Sequence, residues 1–294
     1  MRFGTMGILL LAGALLSGGC GTTSSTQEAS AGDDAQEAAQ VQTGPVIVDD
    51  NMSNLQLDQP DRPVYDSYLR QERHDKGLAM AMPDLTPYKP EGEKIAYLTF
   101  DDGPDDVNTP AILAILKENG VKATFYLLGK SAKAYPDVVK QIYESGCAIG
   151  NHSYDHNYGR LYQNPAAYLK EMDETDAILK SILGVRPLIT RAPGGVVGHF
   201  NKHYWDALKK HGYVEHDWNI SSADAAPNHP VAKDFIDNIQ SQVDSAKAPS
   251  SAIILMHSSS GHEETVKALP EIIRILREHG YTFGVITPMT PQPW

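Results

Sequence analysis

An α/β fold with about seven parallel strands arranged as a barrel is predicted by three features of this chain. From Lys94 onward, short β-type runs and helices alternate in a recurring strand-helix unit. About seven strand positions fall within about 190 residues, which fits a barrel better than a long open sheet. The polar residues with catalytic chemistry stand directly after those strands, on the rim where barrels of parallel strands place their sites. Beyond this architectural alternation the sequence has no internal repeat.

In order, Ile95 to Phe100 is a β-type run. Thr109-Pro110 reads as an N-cap followed by proline at the first helical position, and Ile112, Leu113, Ile115 and Leu116 make an apolar stripe that ends at Gly120. Ala123 to Leu128 is the next strand, Pro136 opens a helix closed by Gly146, and Cys147 to Ile149 is a short strand. Asn164-Pro165 starts a helix reaching Gly184, and Leu188 to Thr190 follows as a strand. Asn201 to His211 is helical and stops at Gly212, where Tyr213 and Val214 begin another strand. Val231 to Ala246 is a helix, Ala252 to Met256 a continuous apolar strand, and Glu263 to His279 a helix closed by Gly280 before Tyr281 to Ile286.

Ahead of this region, Arg2 precedes an uncharged apolar run from Gly7 to Leu16 and then Ser17-Gly18-Gly19-Cys20. The run is too short for a bilayer span, which needs about 20 residues, and reads as a signal peptide over residues 1–19. Cys20 after small residues resembles the lipidation site of bacterial lipoproteins; cleavage nearby to give a simple secreted protein is the alternative. The second of the two cysteines, Cys147, lies in an apolar stretch and is expected in the core.

Residues 20–62 are rich in Ser, Thr, Gln and Ala and carry eight acids and no base between Gly21 and Asp61, the composition of a disordered tether. Residues 63–93 form a pre-domain segment expected to lean on the domain, with Tyr65, Tyr68 and Leu69 on one side of a short helix. Residues 94–287 are the expected domain and 288–294 a tail. The formal net charge of −12 argues against nucleic acid as a partner, since such affinity rests on basic residues neutralising phosphates.

The rim residues are Asp101 and Asp102, His152 and His156, Arg191, Asp217 and Asp224, and His257. Alone, Asp101-Asp102-Gly103-Pro104 could be a turn. His152 and His156, four apart, can face one metal from a helical turn, although Ser153 stands where a zinc-protease helix needs glutamate. Together, one carboxylate and two histidines make a three-ligand set that leaves positions open for water and substrate.

Thr99-Phe100-Asp101-Asp102-Gly103-Pro104, His152-Ser153-x-x-His156, Arg191-Ala192-Pro193 and Ile254-Leu255-Met256-His257 resemble, in this order, the motifs of the NodB-type polysaccharide deacetylases, carbohydrate esterase family four. The resemblance covers about residues 94 to 287. It implies a distorted (β/α) barrel and removal of acetyl groups from N-acetylglucosamine polymers or acetylated xylan with one divalent metal. Asp102, His152 and His156 would hold the metal, zinc first, with cobalt or nickel as alternatives. Asp101 would be the base, with Arg191 pairing with it, and His257 would protonate the leaving amine. A structural salt bridge for Arg191 and a core position for His257 are the plainer readings.

The resemblance also implies an oxyanion donor at the residue after Pro193. Here that residue is Gly194, where an aromatic is common, and the lost side-chain wall predicts a roomier groove. In the fourth motif, aligned on Trp218 to Ala225, Ser221 replaces an aspartate and Ala225 a tryptophan, while Asp224 is retained. Asp224 would keep His257 protonated, with Asp217 as the rival. Trp218 would line the groove or sit in the core, and Leu255 would wall the acetyl pocket or simply pack its strand.

The function expected is hydrolysis of N-acetyl groups on a cell-wall glycan, peptidoglycan first, by a monomer anchored by lipid to the outer face of a bacterial membrane. An O-acetyl esterase, a deacetylase of chitin oligomers or poly-N-acetylglucosamine, and a catalytically lapsed glycan-binding protein are the alternatives.

Overall fold

The computed structural model describes residues 44–52, 60–83, 87–88, 91–228 and 230–293. The expected signal peptide, Cys20 and most of the expected tether lie outside the described residues. In chain order the elements are β1 (Val46–Val48), β2 (Val64–Asp66), α1 (Arg70–Asp75), β3 (Lys94–Asp101), α2 (Asn108–Glu118), β4 (Thr124–Leu127), α3 (Gly129–Ala134), α4 (Pro136–Glu144), β5 (Ala148–Asn151) and α5 (Tyr158–Leu161). They continue with α6 (Pro165–Leu183), β6 (Arg186–Pro187), β7 (Ile189–Thr190), α7 (Lys202–Lys210), β8 (Val214–Glu215), β9 (Ile220–Ser221), α8 (Ala232–Val243), β10 (Ser251–His257), α9 (Glu263–Glu278) and β11 (Tyr281–Gly284).

The main sheet runs β8-β7-β5-β4-β3-β10-β9, all parallel, and β11 pairs with the first half of β3. Among the described residues no ladder joins β8 to β9, so the barrel is distorted, as expected, by an unclosed side. One face of the curved sheet packs Leu98, Phe100, Phe125, Ile149, Ile254 and Met256 against apolar residues of α2, α4, α6, α8 and α9. The other face encloses Tyr97, Tyr126, Ile189, Ile253 and Ile286 as the barrel interior. Both faces bury apolar surface, which explains why the strands read as apolar runs rather than alternating ones.

Helix ends follow local chemistry. Asn164 caps α6 by accepting the Ala167 N–H at 2.9 Å, Pro165 opens the helix, and Gly184 closes it at φ 79°, the left-handed position that glycine occupies without strain. The start of α2 differs from expectation. Asp105, not Thr109, serves its first turn: its Oδ1 accepts the Thr109 N–H at 2.9 Å, and Thr109 is inside the helix. A carboxylate accepts orphan N–H groups as well as a hydroxyl does.

The N-terminal segments depart most from the expectation. Residues 44–52, placed in the disordered tether, contain a strand paired with β2 and bury Val48 and Met52 against Val64 and Leu188. Tyr65 lies in β2 rather than on a helix, and Tyr68 and Leu69 precede α1. β2 pairs antiparallel with β6, and the Tyr65 hydroxyl accepts the Ile149 N–H at 3.0 Å. At this seam Asp66 receives Arg73 Nε at 2.7 Å and Arg186 Nη2 at 2.8 Å, while Arg186 Nη1 also meets Asp176 Oδ2 at 3.3 Å. All four side chains are buried, which charged groups accept only when paired and hydrogen-bonded. The expected tail at 288–294 is also part of the packing: Thr290 is buried, and Gln292 donates to the Glu215 carbonyl at 2.8 Å, covering the β8 edge.

Candidate active site

Side chains alternate faces along a strand, so β3 turns Tyr97, Thr99 and Asp101 into the barrel, and β10 turns Ile253, Leu255 and His257. Asp101 and His257 are register partners on these adjacent strands. The same registers carry the row on through Tyr126 of β4 to Gly150 of β5. A Cβ at Gly150 would lie 2.3 Å from the Tyr126 ring, so glycine there makes room for the tyrosine. Arg191 then lies over that ring, its guanidinium carbon 4.2 Å from the centroid.

Asp102 leaves the strand with φ 69° and turns toward the two histidines. Its Oδ1 is 3.5 Å from His152 Nε2 and 3.8 Å from His156 Nε2, and the three donor atoms lie within 4.8 Å of one another. His152 Nδ1 is 2.8 Å from the Arg191 carbonyl. A carbonyl only accepts, so Nδ1 carries the proton and Nε2 presents a lone pair to the cluster. Burial holds the His152 pKa below its ordinary value, against the raising charges of Asp101 and Asp102. Asp102 Oδ1 is buried without a hydrogen-bond partner, an arrangement proteins avoid unless something else supplies the positive charge. One oxygen and two imidazole nitrogens converging in this way fit a divalent cation.

The histidines do not sit on the helical turn expected from their spacing. They lie on a loop in which Ser153 and His156 adopt φ 74° and 63°, conformations that break a helix and cost energy for side chains other than glycine. The loop is held by its neighbours. Ser153 accepts from Gly129 N at 3.0 Å and Thr175 Oγ1 at 2.9 Å through its carbonyl, and Asn151 Oδ1 accepts the Ser153 N–H at 3.1 Å. Asn151 is tied in turn to Asp176 at 2.7 Å.

Asp101, 2% exposed, accepts from Arg191 Nη1 at 2.9 Å through Oδ1, while its Oδ2 faces His152 Nε2 at 3.7 Å. Arg191 is fully buried and spends its other donors on Thr99 Oγ1 at 2.6 Å, the His216 carbonyl at 2.9 Å and the Asp217 carbonyl at 3.2 Å. It therefore both orients Asp101 and satisfies backbone carbonyls of the segment between β8 and β9, where the ladder is interrupted.

On the opposite side, His257 Nδ1 meets Asp224 Oδ1 at 2.8 Å, and Asp224 Oδ2 accepts from His257 N and Thr265 Oγ1, both at 2.8 Å. Burial alone would lower the His257 pKa, but the hydrogen bond and charge of Asp224, with the charges of Asp101 and Asp102, outweigh it and push the pKa up to about 9. The same contacts hold the Asp224 carboxyl below its ordinary range despite burial. The choice between the two aspartates is thus decided by contact: Asp217 instead accepts the Val196 N–H at 3.0 Å.

The third-motif loop follows Arg191. Glu215 fixes it by accepting from Ala192 N at 2.5 Å and Thr190 Oγ1 at 2.6 Å, and burial, then the charge of Asp217, pushes the Glu215 carboxyl up to about 8. Pro193 is buried and Gly194 is exposed, and among the described residues no acceptor takes the Gly194 N–H. The space beside Gly194 is not open as expected: a Cβ there would lie 2.6 Å from the Tyr158 hydroxyl. Trp218 is half-buried against the barrel interior and stands 5.8 Å from the Arg191 guanidinium. Leu255 is half-exposed between buried Ile254 and Met256, as an inward position just below His257 should be.

The structure thus brings together every residue expected on the rim except Asp217, which turns to the third-motif loop. The sequence does not single out Asn151, Thr265 or Tyr158, and it marks Thr99 only as the start of the first motif. Thr99 was accessible from the period-2 spacing to Asp101. Thr265 and Tyr158 reach the site from separate helices, and nothing in their local sequence marks them.

A family model for polysaccharide deacetylase matches residues 88–216. The chain is similar to a peptidoglycan-N-acetylglucosamine deacetylase of Bacillus cereus, 38% identical over 191 residues, covering 65% of this chain and 68% of that relative. Among solved structures it is similar to a CE4 esterase of Streptococcus mutans, with TM-score 0.63 and 31% identity over 67% of this chain and 87% of that one. A polysaccharide deacetylase of Bacillus cereus superposes with TM-score 0.60 and 34% identity, over 66% and 93% of the two chains.

Proposed function

The chain belongs to the polysaccharide deacetylase family and is a glycan deacetylase, and from that premise we propose that it hydrolyses N-acetyl groups on cell-wall glycan, peptidoglycan N-acetylglucosamine first. The observation that carries the reading is the pairing of Asp101 and His257 at the barrel mouth, beside the Asp102, His152 and His156 cluster. Amide hydrolysis needs this combination, because water must lose a proton and an amine must gain one before it can leave.

Asp102, His152 and His156 would hold one divalent ion, zinc by its donor set with cobalt or nickel as alternatives. Such an ion polarises a carbonyl and lowers the pKa of water. The chain's own residues divide the remaining work. Asp101 Oδ2 faces the cluster and takes the proton of the attacking water, while Oδ1 stays on Arg191. The Gly194 N–H, unspent on protein acceptors, donates to the oxygen that gains charge. His257, kept protonated by Asp224, gives its Nε2 proton to the departing amine, so that acetate and a free amino sugar result. Leu255 walls the acetyl group and Trp218 lines the groove.

An O-acetyl ester asks less of the acid, since an alkoxide leaves more readily than an amide anion. His257, held as the imidazolium by Asp224, supplies the proton that an amide leaving group requires. Cys20 is proposed as a lipid-bearing residue that holds a monomer at the outer face of the membrane. Among the described residues no helix is long and apolar enough to cross a membrane.

Acetate release from peptidoglycan, chitin oligomers and acetylated xylan, with and without chelator, tests the reading. Asp101→Asn should lower kcat by about a hundred- to ten-thousandfold on the preferred N-acetyl glycan. Full activity of the variant or of the chelated enzyme, or preference for acetylated xylan, would refute the proposal as stated.

A further inference from the structure

Resting on the deacetylase reading, we propose that the ring of Tyr158 is a sugar-binding platform next to the catalytic centre, stacking against a pyranose ring adjacent to the acetylated unit. The Tyr158 hydroxyl occupies the space into which a side chain at position 194 would project.

Three observations carry this. The first is position: the Tyr158 ring lies 5.1 Å from the His156 ring, and its hydroxyl sits 2.6 Å from where a Cβ at Gly194 would stand. Gly194 has φ 73°, a conformation that favours glycine and disfavours a bulky residue, so the wall is delivered from α5 instead.

The second is exposure. Tyr158 is 47% exposed, one of few large apolar side chains so placed among the described residues, and Val197 at 86% is another. A ring left nearly half exposed beside a reactive centre offers apolar surface and a polar tip to a ligand. Pyranose rings match it, having a face of C–H groups and a rim of hydroxyls.

The third is rigidity. The ring stacks on His199 at 5.6 Å and on Tyr162 at 5.9 Å, and Tyr162 lies on His199 at 4.0 Å with only 7° between planes. Tyr162 Oη also donates to the Pro193 carbonyl at 2.6 Å, so α5 is docked on the same loop that presents Gly194. A preorganised aromatic surface loses little entropy when a sugar settles on it.

The test compares wild type, Tyr158→Ala and Tyr158→Phe. Acetate release from the N-acetylglucosamine tetramer gives kcat and KM; equilibrium binding of the tetramer is measured on each protein in the Asp101→Asn background, and zinc binding by titration. Tyr158→Ala should raise KM and the tetramer dissociation constant about five- to tenfold with kcat within about twofold, and zinc affinity should hold. Tyr158→Phe, which keeps the ring, should restore tetramer affinity to within about threefold of wild type. Unchanged tetramer affinity in Tyr158→Ala, no measurable tetramer binding by the Asp101→Asn protein, or a loss confined to kcat and accompanied by weaker zinc binding would each overturn the platform. If the wild type releases no acetate from any N-acetylated glycan, the functional reading fails while the binding arm still decides this one.

Discussion

At the scale of single residues, the contact between Asp224 and His257 sets which proton state the site offers. The pKa of about 9 means that the imidazolium acid is present below that pH and is lost as pH rises through it. The rate on an N-acetyl substrate should therefore fall on the alkaline side with a limb near 9. Asp224→Asn removes the carboxylate charge while burial continues to disfavour the cation, so the limb should move down by about one unit or more. A pH-rate profile measured on both proteins checks this, and an unmoved limb would remove His257 from the role of acid. The same pair stabilises the fold fully below the ordinary histidine value of 6.5 and less as pH rises through about 9. That Asp101, Asp102, His152, His156 and His257 gather at one end of the barrel was legible in the sequence, because each stands directly after a strand or on the loop that follows one. The selection of Asp224 over Asp217 was not, since both lie near the fourth motif and only the fold decides which reaches the imidazole.

At the scale of elements, the strand registers make the site. Gly150 gives space to Tyr126, Tyr126 supports Arg191, and Arg191 orients Asp101. Gly150→Ala places a methyl against a ring pinned from its other side. It should destabilise the protein by about 1–3 kcal/mol, read as a lower midpoint in thermal unfolding, and should reduce kcat because Arg191 is displaced with the ring. Retention of both stability and rate would show that the ring can move aside. The histidine loop gives the complementary lesson. Spacing of four suggested a helical turn, but the backbone bends through left-handed positions at Ser153 and His156, held by contacts from α3, α6 and Asn151. Such conformations are imposed by tertiary neighbours and leave little trace in local sequence.

At the scale of the whole molecule, the unit that folds extends well before the expected boundary at residue 94. Asp66, Arg73, Arg186 and Asp176 form a buried charged network between the N-terminal segments and the barrel. Asp66→Ala would leave the buried Arg73 without its carboxylate and Arg186 with Asp176 alone, and should cost about 3–5 kcal/mol, and a chain begun at residue 94 should unfold at a lower temperature than one begun at residue 44. Denaturant or thermal unfolding of the three proteins decides the matter; equal stability would show that the segment is an ornament on an independent domain. Ion binding adds a second global term. Zinc at about a hundredfold excess over its dissociation constant should stabilise the metal-stripped protein by about 2.7 kcal/mol, raising its melting temperature, and His156→Ala should abolish that rise.

By itself the sequence determined the barrel's strand-helix alternation, the side of the strands on which polar side chains gather, and most of the residues that the fold brings together there. These follow from local rules: turn and cap residues act on their neighbours, and apolar runs report burial. Tertiary structure alone decided that residues 44–52 join the fold, that Asp224 rather than Asp217 holds His257, and that Tyr158 fills the space beside Gly194. Each of these is a contact between segments distant along the chain. Such contacts are set by packing and charge pairing across the folded molecule, where no spacing rule reaches.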